Sequence, residues 1–111
     1  MKKLTVFIND QIVYENDQEI TFEDRQLAFL DKMDSDMERG IKIEGELITN
    51  PGSKQRATFI ALNLIKALQH DGQAKIAVSF ANLANRHPAL IEVHANDHGS
   101  NVKIELVEEH L

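Results

Sequence analysis

Ser53-Lys-Gln-Arg-Ala-Thr-Phe-Ile-Ala-Leu-Asn-Leu-Ile-Lys-Ala-Leu-Gln69 is the longest run in the chain that reads throughout as helix. Ala57, Ile60, Ala61, Leu64 and Leu68 recur at the three- and four-residue steps of one helical face, and Phe59, Leu62 and Ile65 widen the apolar arc. So broad a stripe predicts burial on more than one side. Pro51 and Gly52, within Thr49-Asn-Pro-Gly-Ser53, break any regular element before it, so the helix launches from Asn50 or Ser53. His70-Asp71-Gly72 closes it.

Upstream, Leu4 to Ile8 and Gln11 to Glu15 are β-prone runs joined by Asn9-Asp10, residues that tolerate positive φ, and they predict a hairpin. A two-stranded hairpin needs another strand or a helix beneath it. Thr21-Phe-Glu-Asp24 has the spacing of a helix N-terminal capping box. The helix it starts, roughly 22–39, carries Leu27, Leu30, Met33 and Met37 at helical steps and ends at Gly40. The alternation in Ile41-Lys-Ile-Glu-Gly45 predicts a short extended segment.

Downstream, Ala74 to Asn85 places Ile76, Ala77, Phe80, Leu83 and Ala84 on one face, a third helix that its four alanines favour over a buried strand, and Arg86-His87-Pro88 ends it because a residue before proline is pushed out of helical geometry. Ala89 to Ala95 and Val102 to Val107 flank a turn-rich loop and predict a second hairpin, with Val102, Ile104 and Leu106 inward. The order predicts one α+β domain over residues 1–111, with three helices packed on a small antiparallel sheet formed by the N-terminal and C-terminal hairpins.

At 111 residues, with 42% hydrophobic and 27% charged residues, the chain is large enough to bury a core without staples. It has no cysteine, which removes disulfides, thiolate catalysis and Cys-ligated zinc. Met1-Lys2-Lys3 is followed by only a short apolar stretch, Leu4 to Ile8, and no segment has the length of a membrane span, so the expected setting is the cytoplasm, without membrane partners. The formal charge of −6 makes nucleic acid an unlikely partner, because the overall field repels polyanions. Beyond the first three residues the positive clusters are Lys54 with Arg56, and Arg86 with His87.

Asp31, Asp34 and Glu38 lie along one side of the first predicted helix. Like charges at that spacing oppose the helix by roughly 0.2 to 0.5 kcal/mol per pair. They are either a solvated acidic face, offset by Lys32 with Asp36 and by Glu38 with Lys42, or a docking surface for a basic partner, or a divalent-metal site. As a solvated face or a docking surface, Asp34→Asn should shift stability by no more than about half a kcal/mol. A calcium loop does not fit, since Arg39 would stand where the turning glycine is needed. His94 and His98 with Asp97 suggest a loop that could ligate a transition metal, though the helical His-Glu-x-x-His pattern is absent. His70 and His87 each follow a helix, where imidazolium would meet the negative end of the dipole.

Ser53, Lys54 and Arg56 open the central helix and would suit an anion, through free N–H groups and two cations. The Walker spacing is missing, and no serine sits in a glycine-flanked elbow. No catalytic residue and no cofactor is indicated. The expected function is therefore binding, as a homodimer or an adaptor for a larger protein partner; the alternative is a metal-dependent or small-molecule-binding enzyme module using the acidic helix face.

Overall fold

The computed structural model describes residues 3–17, 23–43, 45–70, 72–97, 99 and 102–109. In chain order the elements are β1 (Lys3–Ile8), β2 (Gln11–Asp17), α1 (Asp24–Glu38), β3 (Ile41–Ile43), β4 (Glu46–Ile48), α2 (Ser53–Gln69), α3 (Gln73–Arg86), β5 (Leu90–Asp97) and β6 (Val102–Glu108). The fold is α+β, with strands from both ends of the chain and three helices between them.

β1 and β2 form the first hairpin, turning through Asn9 at φ 50° and Asp10 at φ 68°. Those angles match a two-residue primed turn, whose twist agrees with that of the flanking strands. β5 and β6 form the second. The two hairpins join in the order β2-β1-β5-β6, and the joining pair, β1 with β5, runs parallel. The sheet is therefore mixed, antiparallel within each hairpin and parallel at its centre. A parallel junction needs a long crossover, which the helical middle of the chain provides.

Leu4 and Val6 of β1 and Val93 and Ala95 of β5 are buried against Ile60, Ala61 and Leu64 of α2 and Phe80 and Leu83 of α3. Ala95 pairs with Ile104 and Val93 with Leu106, so the inward alternation of β6 follows from register. The opposite face carries Phe7 stacked on His94, ring centroids 4.3 Å apart, together with the exposed Ile12 that pairs with Phe7.

α2 is the most deeply buried helix, with Ala57, Ile60, Ala61, Leu64, Ile65 and Ala67 all inside. α1 is capped at Glu23, whose N–H donates to Gln26 Oε1 at 2.9 Å. The expected cap, Thr21, lies outside the described residues, and the helix begins two positions later than the capping-box spacing implies. The expected extended segment after α1 is a small hairpin of its own, β3 with β4, closing at Gly45 with φ 79°. Asn82 of α3 is fully buried, and among the described residues neither side-chain amide atom has a hydrogen-bond partner, which costs about 1 to 3 kcal/mol. No described helix is long and apolar enough to cross a membrane.

Candidate functional site

α2 starts where the sequence breaks. Asn50 turns the chain at φ 50°, Pro51 is buried, and Gly52 is the N-cap, so the helix starts at Ser53, one of the two positions expected. Glycine has no side chain with which to cap. Its own N–H donates to Gln55 Oε1 at 2.9 Å, and the first intrahelical bond runs from Arg56 N–H to the Gly52 carbonyl. The N–H groups of Ser53, Lys54 and Gln55 therefore have no intrahelical acceptor. No acidic residue occupies this first turn. Lys54 and Arg56 stand there instead, against the sign of the helix dipole. Arg56 Nε donates to the Pro51 carbonyl at 3.0 Å, which holds the guanidinium back over the helix start.

The C-terminal end of α3 faces the same place. Pro88 ends that helix and leaves His87 as its C-cap, with the His87 N–H on the Leu83 carbonyl at 3.0 Å. Arg86, the last helical residue, gathers three acceptors: Nη2 donates to Asp31 Oδ1 at 2.6 Å, Nε to Asp34 Oδ2 at 2.8 Å, and Nη1 to Asn85 Oδ1 at 2.6 Å. Asp31 is 75% exposed and Asp34 only 28%.

The acidic stripe is thus divided. Asp31 and Asp34 tie α1 to α3 through Arg86, whereas Glu38, one turn on, is exposed. This ion pair alters the stability expected of Asp34→Asn, since the carboxylate has a structural partner that the local sequence does not indicate.

Two adjoining clefts open between these helix ends. One, of about 350 Å3, is lined by Asp34, Met37, Pro51, Ser53, Arg56, Arg86 and His87. The other, of about 320 Å3, shares Ser53, Arg86 and His87 and adds Lys54, Leu106 and Glu108. The two positive clusters of the sequence, far apart in the chain, therefore meet at one place, together with Asp34 of the acidic stripe. Ser53, His87 and Asp34 share a cleft as well, although no spacing in the sequence joins them, and Asp34 Oδ2 is taken by Arg86.

Burial lowers the pKa of His87 from 6.5, outweighing the attraction of Asp34 and then Glu108. Its capping is therefore not that of an imidazolium: the folded protein favours the neutral ring. His70 caps α2 in an exposed position. His94 lies within strand β5 rather than in a loop, with Nε2 2.9 Å from Glu92 Oε1, and His98 falls outside the described residues. Among the described residues, no group of three or more His, Asp or Glu side chains is placed to hold a metal ion.

Sequence reasoning places Ser53, Lys54 and Arg56 at a site but does not join Arg86 and His87 to them. The available signal was their positive character, which says nothing of where α3 ends in space. Comparison with protein-family models, with curated proteins and with solved structures finds no match to this chain.

Proposed function

We propose that the protein is a cytoplasmic binding module that takes an anionic group, presented by an acidic segment of a partner protein, in the cleft between the start of α2 and the end of α3. One observation carries this reading. Two cations occupy the first turn of a helix whose dipole disfavours them, beside N–H groups that have no intrahelical acceptor. A bound carboxylate or phosphate reverses that conflict, because the N–H groups, the dipole and the cations then act on it together. Such local conflict is characteristic of functional positions. The work is binding rather than catalysis, with no cofactor and no nucleic acid. The overall charge of −6 repels a polyanion, while a single anionic group acts at short range, inside a screening length of about 8 Å.

The test is an amide-resolved NMR titration with inorganic phosphate and with a glutamate-rich peptide. Both should shift the amides of residues 53–55, and Lys54→Ala with Arg56→Ala should weaken binding at least tenfold. Absence of shifts at millimolar ligand, or unchanged affinity in the double variant, would refute the reading.

A second reading, self-association into a two-fold dimer, is favoured by a separate observation. Ile12 and Val13 are exposed, at 63% and 41%, on the edge strand β2. An apolar edge of this kind is a template for pairing with another strand.

A further inference from the structure

A second surface lies away from the helix-end cleft, on the side where α1 crosses α3. Two adjoining cavities, of about 260 and 600 Å3, open on either side of Phe29, which is 48% exposed. Phe29 and Val78 line both. Leu30 and Ala81 extend the first and Met33 and Ala67 the second, so apolar side chains run through both, with Gln26, Asn63 and Ser79 among them. Phe29 is therefore part of a contiguous apolar patch rather than an isolated exposed ring, and it is such patches that mark interaction sites.

Among the described residues, the charged ones that line this groove are of one sign. Arg25 stands at one cavity and Lys66 and Lys75 at the other, with His70 beside them. No carboxylate lines either cavity among the described residues, in a chain with 18 acidic and 12 basic residues. Among the described residues, none of the three cations pairs with a carboxylate. The surface is therefore electrostatically complementary to an acidic occupant although the whole molecule is acidic.

We infer that this groove docks an amphipathic helix of a partner protein, apolar on the face that meets Phe29 and acidic on its flanks. The openness of the groove decides the class of occupant. With Phe29 half in water, the occupant must bury one face and keep the other solvated, which an amphipathic helix does by setting anchors three and four residues apart. Anchors spaced in that way can enter the two cavities on either side of the ring. Carboxylates on the flanks then reach Arg25, Lys66 and Lys75. This inference does not rest on the anion cleft, which lies about one and a half helical turns further along α3, from Ala81 to Arg86, or roughly 7 to 8 Å.

The experiment uses the full chain and a fluorescein-labelled peptide of about four helical turns, roughly 15 residues. Leucines stand at helical anchor spacing and glutamates fill the other positions; a control peptide carries lysine for glutamate. Anisotropy should show saturable binding of the glutamate peptide and at least tenfold weaker binding of the control. Amide shifts should map to α1 and α3 around Phe29 and Val78. Phe29→Ala should weaken binding at least tenfold. Because that variant could perturb α1, a second one, Lys66→Glu with Lys75→Glu, changes exposed charges only and should invert the preference between the two peptides. In the Lys54→Ala with Arg56→Ala variant the amide shifts that the peptide causes around Phe29 and Val78 should persist while those of residues 53–55 are lost, which separates this groove from the cleft. Equal binding of both peptides, no shifts around Phe29 and Val78, or saturation of the groove by oleate with no peptide binding would overturn the inference.

Discussion

At Arg86 one side chain answers two carboxylates of unequal standing. The Nε bond to Asp34 is mostly out of water and that to Asp31 is mostly in it. Asp34→Asn removes the charge from a part-buried, charge-assisted bond and should cost about 1 to 2 kcal/mol. Asp31→Asn, on an exposed partner, should stay within about half a kcal/mol. Urea melts at neutral pH compare them, and equal losses would show that burial does not distinguish the two. His87 sets a pH dependence of definite sign. Its folded pKa lies below 6.5, so the unfolded chain binds the proton more readily. The associated stability is fully present above 6.5 and is lost as pH falls from there through the lowered folded value. Asp34 and Glu108 draw the ring toward protonation and so limit the loss. His87→Gln should therefore lose less stability than wild type between about pH 7.5 and about pH 5. Parallel thermal-melt profiles of the two proteins would assign the acid sensitivity elsewhere.

Among the elements, α2 carries the core. Leu64 is fully buried at its centre, with Ile60, Ala61 and Ile65 around it. Leu64→Ala should cost about 2 to 5 kcal/mol in urea melts, through lost transfer energy and an unfilled cavity. A loss below roughly 1 kcal/mol would mean that the helix relaxes into the space. The bounds of α2 were legible in the sequence because the apolar stripe and the Pro51-Gly52 break are both local signals. Both hairpins were legible for the same reason, through alternation and turn residues. The parallel junction of β1 with β5 was not, since strand neighbours from opposite ends of the chain leave no periodic trace. The small β3–β4 hairpin is too short to show an alternation on both arms. The candidate site divides in the same way. Lys54 and Arg56 conflict with a helix start, which composition and spacing reveal, and the acidic stripe conflicts with its own helix. That Asp34 and Arg86 meet, 52 residues apart, depends on how α1 crosses α3. That crossing is set by packing, which no local pattern encodes.

For the whole molecule, the sheet's two edges differ in their protection. β6 presents Lys103 and Glu105, charges that discourage pairing with another strand, whereas β2 presents Ile12 and Val13. The register shift between Val6 and Phe7 bends the β1–β2 hairpin without removing that apolar edge. Antiparallel pairing of β2 with β2 of a second copy, about a two-fold axis, would bury these side chains and extend the four-stranded sheet to twice its width. Self-association should then appear in size-exclusion chromatography with light scattering as a mass rising from 12.6 kDa toward its double with concentration. Ile12→Lys should hold the protein at the single mass without altering its melt, because the residue is 63% exposed and contributes little to the fold. A single 12.6 kDa species for the wild type up to near-millimolar concentration would show that the bulge and edge charges such as Glu15 suffice to protect β2. A dimer unchanged by Ile12→Lys would place its interface on another face, and the open side of the sheet around Phe7 and His94 would be the next to vary.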